Sequence, residues 1–553
     1  MARLEAWIDW ALGASAVAWF LGALSAAQAL AVALDPGWMH DEGLLTYGYA
    51  RGMAQAPLAF AFFQKSKPLL AAFYAVPASF GLLPFLVVHA LVTALAVPLA
   101  AAAARALGAR RPNVAAVFIA LSPFFLRSGG TGLSNADAVV VGLLVILLAA
   151  RGHLLTAGLV AGASIWVRYE SGILAVTFFI AAITTPSLRR MAIGLAVFPT
   201  LYLAAGALYH ADALWVAHWP PSITDPVAAL GHLTPYAHHN PATLVRALLS
   251  VSPAVVVLAI VPFQRLSALE RTLFIFVALF VLAFGATHVA VLPIGPFFVL
   301  GYSERYAIAV LPALAVLAAR AAEPAAPGEP GWRGSLGACL GLIVCGVFVR
   351  FAYSERALLL ALVAPTLALA FAASRARTLA PWPLLILALA GPMTAAPWLD
   401  QGGFRSRREE LRQMVALLDQ HAPDRTGTIY TSSELLRAYL ARTRDPRSRH
   451  ITYFVQPGQT FELDVLTSSR HGQRPAVRAL LLEAVFGPVV AVGRLSPATV
   501  RPADRFLVQD AHGKDALPAA TWGASLQSLG RLRESHWTLY RMRDALRESP
   551  SAP

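Results

Sequence analysis

The chain has 553 residues, of which 57% are hydrophobic and 13% charged; soluble domains carry about a quarter charged residues, so an ordinary soluble protein is excluded. Long apolar runs without period-2 alternation exclude a β-barrel and leave a bundle of transmembrane helices. The formal net charge of +14 is carried almost wholly by arginines; scattered between apolar runs, they read as topology signals and contacts to membrane lipids, with no nucleic-acid surface.

The first run, ALGASAVAWFLGALSAAQALAVAL (11–34), holds no charged side chain. It is too long for the apolar stretch of a signal peptide and is read as an uncleaved first transmembrane helix. Further helices are expected near 82–104, 113–127, 135–150, 153–167, 171–187, 191–209, 249–264, 272–292, 306–321, 335–352, 357–373 and 383–399, about thirteen in all. Cys339 and Cys345 share one apolar run at a spacing that does not align them on a helix face. They read as core thiols, with neither a disulfide nor a metal role.

Placing the N-terminus in the cytoplasm puts arginine in every inner connection: 105–112, 151–153, 187–190, 264–271, 320–334 and 374–382. The outer side then receives two long loops, 35–81 and 210–248, and the charged tail. Residues 1–399 thus read as a transmembrane domain, and 400–553 as a small soluble extracytoplasmic α/β domain. In that tail GTIYTS, HITYFV and PVVAVG have strand character, and SELLRAYLART is helical. The chain shows no internal repeat, no nucleotide-binding glycine fingerprint and no Walker sequence.

Polar residues gather at the expected outer boundaries. Asp41 and Glu42 follow the first helix in HDEGLLTYGYARGM. They read equally as the start of a short capped helix or as working carboxylates. Two of the chain's three lysines, Lys65 and Lys67, stand in FFQKSKPLLAAFY, where the charge rule disfavours cations; a lipid phosphate would hold them, and so would head-group anchoring. Asp137 enters an apolar helix after RSGGTGLSN, Arg168 and Glu170 lie in WVRYESG, and Glu304, Arg305 and Tyr306 lie in GYSERYAIAVLP. Ionisable groups at membrane depth default to function, although Arg168 and Glu170 also read as a plain ion pair. Acids beside lysine and arginine next to lipid suit one task, activating a nucleophile while neutralising a leaving phosphate.

In these residues the chain resembles the C-type (GT-C) integral-membrane glycosyltransferases, most closely the branch of protein O-mannosyltransferases and lipid A aminoarabinose transferases. The features that carry the resemblance are the acidic pair Asp41-Glu42, the Lys67-Pro68-Leu69 element, Asp137 after the third helix, and Arg305-Tyr306 opening a late helix. The resemblance covers most of residues 8–400, and the tail matches only in placement. It implies a hexosyl or pentosyl transferase that moves a sugar, with inversion, from a polyprenyl-phosphate donor to a glycan, lipid or protein acceptor on the outer face. Asp41 would be the general base and Glu42 would orient it or bind the acceptor. Lys67 and Arg305, with Lys65, would hold the donor phosphate, and Asp137 would be a second acid bracketing the site. Two departures, Gly43 after the acidic pair and a single proline in the lysine element, bear on sugar identity.

Clustered acids leave room for a divalent metal, magnesium or manganese, but no His-rich ligand spacing demands one. His232, His238 and His239 lie in a Trp- and Pro-rich stretch (209–240) that reads as an interfacial outer loop. Abundant alanine and arginine in place of lysine point to a GC-rich bacterium, hence a bacterial inner (plasma) membrane. A transporter or flippase, and a non-catalytic membrane scaffold, are the competing readings.

Overall fold

The computed structural model describes residues 10–63, 66–215, 266–289, 308–322, 404–421, 427–431, 434–443, 449–454, 489–491, 503–509, 526–532 and 537–542. Among these the protein is mostly helical, with sixteen α-helices. Two compact units emerge: Met1–Ala31, Phe62–Leu70 and Leu86–Trp398 form one, and Val32–Ala61, Ala71–Phe85 and Leu399–Pro553 form the other.

Among the described residues the helices of this part of the chain are, in order, α1 (Ser15–Leu34), α2 (Asp41–Gln55), α3 (Pro57–Ala61), α4 (Pro68–Ser79), α5 (Leu82–Ala94), α6 (Ala96–Ala106), α7 (Asn113–Ala120), α8 (Pro123–Thr131), α9 (Asn135–Ala150), α10 (Leu154–Ala163), α11 (Ser171–Thr184), α12 (Arg189–His210), α13 (Ala268–Val289) and α14 (Leu311–Ala321). Local chemistry sets their ends. Proline opens α3, α4 and α8, where a missing N–H costs nothing. Gly132 closes α8 at φ +77, a conformation that glycine adopts without strain.

Among the described residues three helices are long and apolar enough to cross a membrane: Ser15–Leu34, Leu82–Ala106 (α5 with α6) and Pro186–His210. Twenty residues rise about 30 Å, the thickness of a bilayer's hydrocarbon core. The pair α7 and α8, expected as one helix, bends by 61° and makes a fourth span if counted together. The expected helices near 249–264, 335–352, 357–373 and 383–399 lie outside the described residues. The stretch 35–81, expected as a long loop, holds α2, α3 and α4, because His40, Pro57 and Pro68 each supply a helix start.

In the first unit the core mixes many alanines with leucine, valine, isoleucine and phenylalanine. Every residue from Leu311 to Ala319 of α14 is buried, the mark of a helix covered on all sides. Helices α10 and α12 approach closely because Gly158, Gly162 and Gly194 leave no Cβ to meet the opposing backbone. Two arginines expected as topology signals and lipid contacts also close helix ends. Arg111, 1% exposed, donates to Ala322 O at 3.2 Å, and Arg105 donates to Gly13 O at 2.9 Å.

The second unit contains a six-stranded sheet: β1 (Thr428–Thr431), β2 (Arg449–Phe454), β3 (Val489–Ala491), β4 (Arg505–Gln509), β5 (Leu526–Leu532) and β6 (Trp537–Met542), in the order β3-β2-β1-β4-β6-β5. The pairs β1–β2, β1–β4 and β2–β3 are parallel, while β4–β6 and β5–β6 are antiparallel. Two amphipathic helices belong to the same unit, α15 (Phe404–His421) and α16 (Glu434–Thr443). Leu411, Met414 and Leu418 recur at helical spacing on α15 and join Ile429, Leu436, Tyr439 and Leu539 in one core. Strands β4, β5 and β6 were not among the runs legible in the sequence.

Candidate functional site

In the first unit several buried charged side chains lie around the start of α9. Ser134 stands before that helix, and its Oγ makes no capping bond to it. Instead it accepts from Lys67 Nζ at 2.6 Å and from Arg168 Nη1 at 3.0 Å. Arg168 in turn forks onto Glu170, Nε to Oε2 at 3.0 Å and Nη2 to Oε1 at 2.5 Å. Ser134 is 0%, Lys67 9%, Arg168 5% and Glu170 4% exposed. Both cations lie beside a helix N-terminus, whose N–H groups favour an anion.

Lys67 reaches this position from a left-handed backbone, φ +53, directly before the Pro68 that starts α4. For a residue with a Cβ that conformation costs about 1–2 kcal/mol. Strain of this kind persists where surrounding structure dictates it, and it concentrates at working sites. Between the two members of the ion pair, burial holds the Tyr169 phenol above its ordinary range, with Tyr202 adding to the effect. The phenol therefore stays protonated at neutral pH.

Asp137, 4% exposed, lies in the first turn of α9. Its Oδ2 is 2.9 Å from Nε2 of His89, whose Nδ1 is 2.6 Å from Gly129 O. Sequence reasoning singled out neither His89 nor Ser134. The signal for His89 was present: it is the lone titratable residue in LLPFLVVHALVTA, and a titratable group at membrane depth is itself a functional flag. Ser134 carried no comparable signal, because serine before a helix reads as a cap.

Asp41 and Glu42 belong to the second unit, where they open α2. The Glu42 N–H donates to His40 Nδ1 at 3.1 Å, a local cap. Among the sequence candidates, the structure thus brings Lys67, Arg168 and Glu170 together through Ser134 and pairs Asp137 with His89. Lys65, Glu304, Arg305 and Tyr306, as well as His232, His238 and His239, lie outside the described residues. Among the described residues no three His, Cys, Asp or Glu side chains gather where they could hold a metal ion.

Comparison with family models, with curated proteins and with solved structures finds no match.

Proposed function

We propose that the protein is an integral-membrane glycosyltransferase resembling the GT-C enzymes, which takes a sugar from a polyprenyl-phosphate donor and transfers it to an acceptor hydroxyl or phosphate on the outer face. The observation that carries this reading is the buried pair of cations, Lys67 and Arg168, both directed at Ser134 beside the α9 N-terminus. Burying two cations costs desolvation that a bound anion helps to offset, and both reach one serine hydroxyl beside a helix N-terminus. A lipid phosphate supplies that anion, and ammonium and guanidinium groups are its strongest protein partners.

In this reading Lys67, with Lys65 and Arg305, takes up charge as the phosphate leaves. Asp41 receives the proton of the attacking hydroxyl, and Glu42 orients it or the acceptor. Phosphate paired with cations needs no strong acid to leave, so no residue is required to protonate it. No step is routed through a metal. The finer organisation belongs to the same proposal: about thirteen spans, an inside N-terminus, a small extracytoplasmic α/β domain at the C-terminus, and a bacterial inner membrane.

A second reading, a lipid or sugar transporter, draws on the 61° break between α7 and α8, since broken helices line transporter sites. One experiment separates the two. Membranes holding wild type or Asp41→Asn are given radiolabelled polyprenyl-phosphate sugars, and label leaving the lipid is followed. Transfer by wild type alone supports the enzyme and the base. Label that crosses the bilayer while remaining on its lipid favours the transporter. Equal transfer by both proteins removes Asp41 from the mechanism.

A further inference from the structure

The pairing of His89 with Asp137 is not used by the mechanism above, and its proton count is set by geometry. The Gly129 carbonyl can only accept, so the His89 Nδ1 that meets it at 2.6 Å must carry a proton. A neutral imidazole would then present a bare Nε2 lone pair to the Asp137 carboxylate at 2.9 Å, an encounter of two acceptors. One proton therefore lies between them, on the imidazolium or on the carboxyl, and in both forms the pair has no net charge. That suits a histidine with 0% exposure in an apolar helix.

The pair also joins three helices. His89 belongs to α5, Gly129 to α8 and Asp137 to α9. One turn beyond His89 on α5, Thr93 donates to His89 O at 2.8 Å and lies where a Cβ on Gly129 would fall. A side chain at 129 would crowd the Thr93 hydroxyl where α8 packs against α5. Asp137 is three residues after Ser134, so fixing the aspartate fixes the rotation of the α9 start that presents Ser134 to Lys67 and Arg168.

We infer that His89 is a positioning residue: it shares one proton with Asp137, clamps α9 to α5 and α8, and so holds Ser134 where the two buried cations meet it. The inference deepens the transferase reading and rests on it for the activity measurements alone. Glutamine places its amide near the position of Nε2 and keeps a donor toward Asp137. Asparagine places its amide near Nδ1, keeping the donor toward Gly129 and losing the one toward Asp137.

The test uses the full chain in nanodiscs. In the transfer assay His89→Gln is expected to stay within about threefold of wild type. His89→Asn is expected to lower kcat/KM for the lipid donor by about tenfold or more, with KM for the acceptor unchanged, a split that general destabilisation does not produce. The double variant His89→Asn, Asp137→Asn is expected to be no slower than Asp137→Asn alone; additive losses would overturn the inference. A second arm needs no activity. In protein with 15N-labelled histidine, the ring signal that disappears in His89→Gln is expected to report a protonated Nδ1. A bare Nδ1 with protonated Nε2 would overturn the assignment. If wild type transfers no sugar, the transferase reading fails while the 15N result still decides the proton.

Discussion

Two helix starts in this protein carry the same elements, an acid in the first turn and a histidine for a partner, and use them differently. At α2 the histidine is local: His40 caps the helix by accepting from the Glu42 N–H two residues on. At α9 the histidine comes from another helix: His89 meets Asp137 across a sequence separation of 48. The first arrangement answers a need of the backbone, since the opening N–H groups of any helix lack partners. The second answers a need of the side chains, since a carboxylate at 4% exposure requires a partner of its own. A helix-start acid in a sequence is thus two different objects, and only its partner tells them apart.

The comparison is broken most directly at the acids. Asp137→Ala leaves His89 buried beside a void and is expected to cost about 3–5 kcal/mol, read from thermal unfolding of the purified full chain. Asp41→Ala removes a negative charge from a helix start and is expected to cost about 0.3–1 kcal/mol by the same scan. Equal losses would mean that the two helix starts do the same job.

A smaller effect on stability, with a large one on function, is expected at Lys67. Lys67→Gly removes the cation and relieves the left-handed backbone. The relief of about 1–2 kcal/mol offsets the entropy that glycine adds to the unfolded chain, so stability should stay within about 1 kcal/mol of wild type. Transfer from the lipid donor should nevertheless fall at least about a hundredfold. A variant that lost several kcal/mol of stability yet retained transfer in the folded protein would assign Lys67 to structure.

The most local effect is expected at His40. Losing the cap in His40→Ala should cost about 1 kcal/mol, and His40→Asn, which restores a capping oxygen, should recover most of it. Hydrogen exchange over residues 41–46 reads this locally. No change in exchange would show that the α2 start is held by its packing and not by the cap.

Much of the helical pattern was legible from residues alone. The uncharged run 11–34 contains α1, and the apolar stretches 135–150 and 191–209 match α9 and α12 within two residues at each end. The break between α7 and α8 was not read, although Ser122 and Pro123 are a cap and a first helical residue in plain view; an unbroken apolar run masked them. In the second unit β1, β2 and β3 stood out by their β-branched and aromatic residues. The strand β5 did not, because LQSLGRL carries glycine, serine and arginine and departs from even register between Ser528 and Gly530.

Of the site, the sequence named the charged members and missed the groups that connect them. Lys67, Arg168, Glu170 and Asp137 are conspicuous because charge is rare in this chain. Ser134 is not, because its role depends on two side chains arriving from 67 residues before it and 34 after it. Hydropathy and capping are properties of neighbouring residues, so the sequence by itself determined that the chain is helical, apolar and rich in arginine between its helices. Partnership between His89 and Asp137, or between Lys67 and Ser134, is a property of packing. It required α5, α8 and α9 to close to hydrogen-bond distance, with Gly129 granting the approach, and only the tertiary structure could decide it.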